Sequence, residues 1–115
     1  MFLSHEPSCV GIPPEIKVLS LGVGTGLTEG KRISALCDAY NLPIAPHVGG
    51  GGILSIAASV QYSAAIPNFQ ILEHSHRGHA NKGRIARSYP VPKDGRFVLD
   101  ETPGLGVEID EDRVF

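Results

Sequence analysis

The sequence predicts an α/β fold built on parallel strands. Its hydrophobic pattern alternates between short β-rich runs and helical stripes, giving strand, helix, strand, helix, strand over residues 16–73. Glycine, proline or asparagine marks each change of period, and these residues interrupt regular structure. Each helical stripe is long enough for a crossover, and consecutive crossovers favour parallel pairing with right-handed connections. Parallel α/β folds keep their chemistry at the carboxyl ends of the strands. His47 and Glu73 fall at two such ends, so both are expected on one rim.

Residues 1–15 read as an irregular lead-in, interrupted by Pro7, Gly11, Pro13 and Pro14. Ile16 to Leu21 is the first strand, closed by Gly22-Val23-Gly24-Thr25-Gly26. Thr28 suits a helix cap and Glu29 a first turn. Ile33, Leu36, Cys37 and Tyr40 then trace one face of a helix over 28–41, with Asn41 as its stop. The second strand is Leu42 to Pro46, with its hydrogen-bonded ladder starting after Pro43, which has no donor. After the Gly49–Gly52 loop, Ile53, Ile56, Ala57, Val60 and Ala64 form the stripe of a helix over 53–65. Pro67-Asn68 breaks it, and Phe69 to Leu72 is the third strand. Periodicity vanishes over 74–95, so a long exposed basic loop is expected there. Residues 96–115 read as a return segment: a short extended piece at Phe97, a turn at Pro103-Gly104, a brief Val107/Ile109 alternation and an acidic end.

A chain of 115 residues has room for one domain with a modest core. With 42% hydrophobic and 19% charged residues, disorder along the whole length is excluded. A formal charge of -2 offers no overall attraction for nucleic acid. The charge is unevenly placed: Arg77, Lys82, Arg84, Arg87, Lys93 and Arg96 make one segment basic, and Asp100, Glu101, Glu108, Asp110, Glu111 and Asp112 make the tail acidic. Two solvated segments in loose contact account for this pattern. Cys9 and Cys37 have no spacing of a disulfide framework or metal pair, which favours a reducing, cytoplasmic setting. Neither a signal-peptide pattern nor an apolar run of membrane-spanning length is read, so no membrane association is expected.

Several motifs admit more than one chemistry. VLSLGVGTG resembles the strand-to-turn motif of S-adenosylmethionine-dependent methyltransferases, but Pro46-His47 stands where the next strand end would carry an acidic residue. A plain strand-to-helix turn explains it better. Gly49 and Gly50 lack the lysine and hydroxyl of a phosphate loop. They fit either a tight turn or a backbone that lets a substrate carboxylate or phosphate approach a helix start. His47 can accept or donate a proton near neutrality, although a lone histidine is more often structural. Glu73 at the neighbouring strand end strengthens the reading of both. His74, His76 and His79 fit no metal-ligand spacing, and a solvated loop is the simpler account.

Four motifs in order carry a family resemblance: Gly26-Leu27-Thr28-Glu29-Gly30; Pro46-His47 with its glycine loop; the Ala-rich helix leading to IPNFQILE; and Asp94-Gly95 with Pro103-Gly104-Leu105-Gly106-Val107-Glu108. Together they resemble the C-terminal part of the enolase superfamily, in its mandelate racemase and sugar-acid dehydratase branch. The resemblance implies a partial TIM barrel, the last three βα units (strands six to eight) followed by the C-terminal tail. It implies that His47 is the base or acid after strand seven. Glu73 becomes the strand-eight glutamate that hydrogen-bonds substrate or intermediate. The complete family enzyme uses Mg²⁺ to stabilise the enediolate formed when the proton α to a carboxylate is removed, and its substrate class is a sugar acid.

The sequence also departs from that pattern. The family histidine is oriented by an aspartate at the end of strand six, where this chain has Ser20. A serine cannot offer a carboxylate, so His47 is expected to lack a charged partner. The family's metal ligands, lysine base and capping domain match segments preceding this sequence. The expectation is therefore a fragment or degenerate relative of a dehydratase or racemase, inactive alone. The alternative is a non-catalytic α/β subunit that self-associates or is completed by another chain.

Overall fold

The computed structural model describes residues 17–19, 26–48, 51–99 and 101–114, with only the backbone at 17–19 and at position 77. The lead-in over 1–15, Ser20, and Gly49 and Gly50 lie outside the described residues.

Strand β1 (Lys17–Leu19) lies parallel to β2 (Ile44–Pro46), pairing Lys17 with Ile44, Val18 with Ala45 and Leu19 with Pro46. The third expected strand is reduced to two parallel bridges, Ile44 with Phe69 and His47 with Glu73. The Ile44 amide donates to Asn68 O at 2.8 Å, Gln70 N–H to Ile44 O at 2.9 Å and Glu73 N–H to Pro46 O at 2.9 Å. The β2 strand therefore sits between its two sequence neighbours, and all three segments run the same way, as the two crossovers require.

Helix α1 (Gly26–Ala39) starts two residues earlier than its expected cap, so Thr28 lies inside its first turn. Its end is a Schellman motif: Asn41 adopts φ 54°, its amide donates to Asp38 O at 2.9 Å, and Leu42 N–H returns to Cys37 O at 2.9 Å. The face that α1 buries differs from the expected apolar stripe. Gly30 and Ser34 are the buried residues, whereas Leu36 and Tyr40 are 62% and 71% exposed. Small residues let α2 (Ile53–Ala64) come close enough for the buried Tyr62 hydroxyl to donate to Gly30 O at 3.1 Å. Burial raises the Tyr62 pKa, and a hydrogen bond with the Ser34 side chain opposes part of that rise.

Helix α2 is covered on two sides, which corrects its expected single stripe: Ser59, Tyr62 and Ser63 are buried and Ala64 is exposed. Ile44, Tyr62 and Ile66 form one cluster with Cys37 against it, placing α1 and α2 on the same face of β2 as expected. Val48, Ile53, Ile56, Val60 and Ala86 form a second cluster, covered by Leu72, Tyr89, Phe97, Val107 and Ile109. The C-terminal third of the chain thus supplies a lid over α2.

The segment 74–95 is not the exposed loop that its lack of periodicity implies. It contains helix α3 (His76–Lys82), a 3₁₀ turn over Gly83–Ile85 and strand β3 (Ala86–Ser88). Strand β4 (Glu108–Ile109) pairs with β3 antiparallel. Between them Asp94 (φ 50°) and Gly95 (φ 74°) make a two-residue turn closed by reciprocal Lys93–Arg96 hydrogen bonds of 2.8 and 2.9 Å. The basic and acidic segments meet where Arg87 reaches Asp110 at 3.4 Å and Glu108 at 3.7 Å; within the acidic end Arg113 also reaches Asp110, at 3.0 Å. Among the described residues no helix is long and apolar enough to cross a membrane.

Candidate active-site rim

His47 and Glu73 are the residues that sequence placed at strand ends, and the fold brings them into contact. Each continues its strand by one residue beyond a buried or half-buried apolar neighbour, Pro46 and Leu72. Their backbones bridge in parallel, so the side chains leave the same edge side by side. Buried Val48, inside the second cluster, pins the chain just after His47. The result is an imidazole Nδ1 to carboxylate Oε2 distance of 2.8 Å, with side chains 37% and 58% exposed.

That contact overturns the expectation that His47 lacks a charged partner: Glu73 supplies the carboxylate. Register explains why sequence order missed it, because the bridge sets residue 47 opposite residue 73. Ser20 and the Gly49-Gly50 pair, assigned to the same rim from sequence, lie outside the described residues.

A carboxylate only accepts hydrogen bonds, so at 2.8 Å from Glu73 Oε2 the Nδ1 of His47 is the ring nitrogen placed to carry the proton. The other ring nitrogen, Nε2, is thereby left to exchange a proton with a molecule at the open rim. Gly52 precedes α2 in extended geometry and its carbonyl accepts the Ile56 amide at 3.1 Å, opening the first turn of the helix. Among the described residues, no group of three or more His, Cys, Asp or Glu side chains converges to hold a metal ion.

Behind Glu73 the three histidines part company, correcting the solvated-loop expectation. His76 is exposed, His74 is half-buried and His79 is 6% exposed. The His74 and His79 rings meet edge to face at 4.8 Å, with Phe97 5.2 Å from His74 and Tyr89 5.4 Å from His79. Sequence reasoning missed this cluster because an imidazole counts as polar in any hydropathy pattern. The Asp94-Gly95 dipeptide, a strong hairpin signal, was the available clue that Phe97 folds back.

Parallel segments with a His–carboxylate pair at their carboxyl rim place the chain among α/β folds. The family described as enolase C-terminal domain-like matches residues 17–113, and the chain belongs to it. It is 35% identical over 96 residues to a D-galactonate dehydratase of Variovorax paradoxus, a match covering 77% of this chain and 25% of the relative. A D-galactonate dehydratase family member of Enterococcus gallinarum is 37% identical over 89 residues, covering 76% of this chain and 22% of the relative. In structure it is similar to the mandelate racemase/muconate lactonizing enzyme of Jannaschia sp. CCS1, with a TM-score of 0.76 and 27% identity over 86% of this chain and 25% of that one. The chain thus spans about a quarter of the length of these relatives.

Proposed function

We propose that the chain carries the last three βα units of an acid-sugar dehydratase or racemase barrel, with His47 as its proton-transfer group. The supporting observation is the 2.8 Å pairing of His47 Nδ1 with Glu73 at the carboxyl rim. Glu73 fixes the imidazole's orientation, and Nε2 removes the proton α to a sugar-acid carboxylate or returns one to a leaving hydroxyl. Gly49 and Gly50, before α2, allow the substrate's carboxylate close to the backbone. Relatives named as D-galactonate dehydratases support a sugar acid as the substrate class.

Mg²⁺, which the family resemblance implies, would be held by acidic residues outside the described set, so no step here runs through it. We further infer that the 115-residue chain alone does not turn over sugar acids. Removing an α-proton builds negative charge on the substrate carboxylate, and catalysis needs a placed positive group to oppose it. Glu73 is an anion at that place and cannot do so. A second reading, an α/β subunit completed by another chain or a second copy, draws on the exposure of Phe69 and Ile71 along the outer bridged segment.

Incubating the chain with aldonate and uronate salts in D₂O with excess Mg²⁺, read by proton NMR, tests α-proton exchange and dehydration together. No deuterium incorporation above the buffer control is expected. Exchange that disappears in His47→Asn would establish a working base and overturn the inactive-chain reading.

A further inference from the structure

The His74–His79 pair has no part in the proton transfer, yet it is an unusual object to bury. All four ring nitrogens of the two residues are shielded from solvent without a hydrogen-bond partner of good geometry. Buried polar groups are ordinarily paired, and an unpaired one calls for an explanation. The pair joins separate segments: His74 directly follows Glu73, His79 lies on α3, Tyr89 follows β3, and Phe97 follows the Asp94-Gly95 turn. Gly83 completes the packing, since a Cβ there would lie 2.1 Å from the Tyr89 ring.

The groups acting on the two rings disfavour charge. For His74, burial lowers the pKa first, followed by His79, Lys82 and His76. For His79, burial again leads, His76 and Lys82 add to it, and the Pro90 backbone offsets a part. Phe97 and Tyr89 present ring surfaces to them. The neighbouring carboxylate, Glu73, is engaged by His47. The pair packs as neutral imidazoles.

We propose that His74 and His79 form an uncharged clamp that positions the Glu73 carboxylate against His47, and that protonation of either ring releases α3 and the Glu73 segment from the rim. They are positioning residues acting through Glu73, and this role rests on reading His47 and Glu73 as a working pair. Each release event is the uptake of one solvent proton on a ring nitrogen. The sign follows from the lowered values: the unfolded rings bind protons below their ordinary 6.5, where the folded rings resist. The clamp is therefore intact above that pH and is lost as pH falls below it through the lowered folded values.

The test is an NMR titration of the full 115-residue chain from about pH 8 to about pH 5, a range spanning ordinary histidine ionisation. It follows the histidine rings, the amide exchange of α3 and the His47 ring-nitrogen signals that report its tautomer. The expected result is that His74 and His79 take up protons at lower pH than exposed His76. As they do, α3 amide protection falls about tenfold or more, and the Nδ1-protonated His47 signature is lost at a higher pH than in a chain whose clamp cannot titrate. The double variant His74→Phe/His79→Phe keeps ring packing without a titrating group, and should hold α3 protection across the range and keep the His47 signature to lower pH than the unaltered chain. If that variant does not fold, the order of ring titration in the unaltered chain decides. His74 and His79 titrating alongside His76, or α3 protection independent of pH, overturns the clamp. Melting of α3 while His47 keeps its tautomer overturns the positioning role. A separate control isolates the dyad: if Glu73→Ala, which removes the acceptor, leaves the His47 tautomer unchanged at about pH 8, the His47–Glu73 reading fails while the α3 readout stands.

Discussion

Asn68 works at the joint between α1, the turn before β2 and β2 itself. Its side-chain oxygen accepts from the Ser34 hydroxyl at 2.7 Å, and its amide donates to Ser34 O at 3.1 Å and Leu42 O at 3.0 Å. Its backbone carbonyl receives the Ile44 amide at 2.8 Å. One residue thus fixes where β2 leaves α1 and where the outer bridged segment begins. Asn68→Ala should lower stability by about 2–3 kcal/mol, because it removes three side-chain bonds and strands a half-buried carbonyl. Asn68→Asp should cost a similar amount, since a carboxylate loses both donors and faces two carbonyl oxygens. Urea unfolding measures this, and a change under about 0.5 kcal/mol would mean packing alone holds the joint. In sequence Asn68 reads only as half of a helix-breaking Pro-Asn pair. The strand-end pair His47 and Glu73 is more legible than this hub, because strand-end position can be counted along the chain. A hydrogen-bond hub depends on what lies opposite.

Helix α3 shows which elements the sequence hides. Its seven residues, HRGHANK, contain no aliphatic stripe, so a periodicity reading leaves them as loop. The helix docks instead through the His79 ring against Tyr89 and Phe97, and through Gly83, which lets Tyr89 lie against the backbone. Gly83→Ala should therefore destabilise this corner by about 1–3 kcal/mol, the usual cost of forcing a side chain out of a filled space. Hydrogen exchange localises the effect: α3 and β3 amides should lose protection while α1 amides keep theirs. Unchanged exchange throughout would show that the Tyr89 ring swings aside without cost. The longer elements were read correctly in type and order, and the parallel direction followed from their alternation. The α1 face was not. Hydropathy favoured Leu36 and Tyr40, yet contact with α2 is made at Gly30 and Ser34, where small side chains permit close approach. Compactness can outrank apolarity at such a contact, and no single-sequence pattern records the partner that decides it.

At the scale of the whole molecule, the described residues leave extensive apolar surface exposed beside a small core. The described core consists of two small clusters, five residues and three. Meanwhile Leu36 and Tyr40 remain exposed on α1, Phe69 and Ile71 on the outer parallel segment, and Val98 and Leu99 beyond the turn. Among the described residues, the 69–73 segment pairs with a strand only through its bridges to β2. Unpaired amides and carbonyls beside exposed Phe69 and Ile71 form a template for another chain. The 115-residue chain in isolation should therefore self-associate. Sedimentation velocity should show mass increasing with concentration, and urea should unfold it over a broad range with a low slope. Placing a lysine on the edge, Ile71→Lys, should reduce association without disturbing β2, because position 71 lies between the two bridges and its side chain is exposed. Association through the edge would then be distinguished from association through α1, which Leu36→Lys would suppress instead. A compact monomer at every concentration, with one sharp urea transition, would contradict the prediction and show that these small clusters suffice.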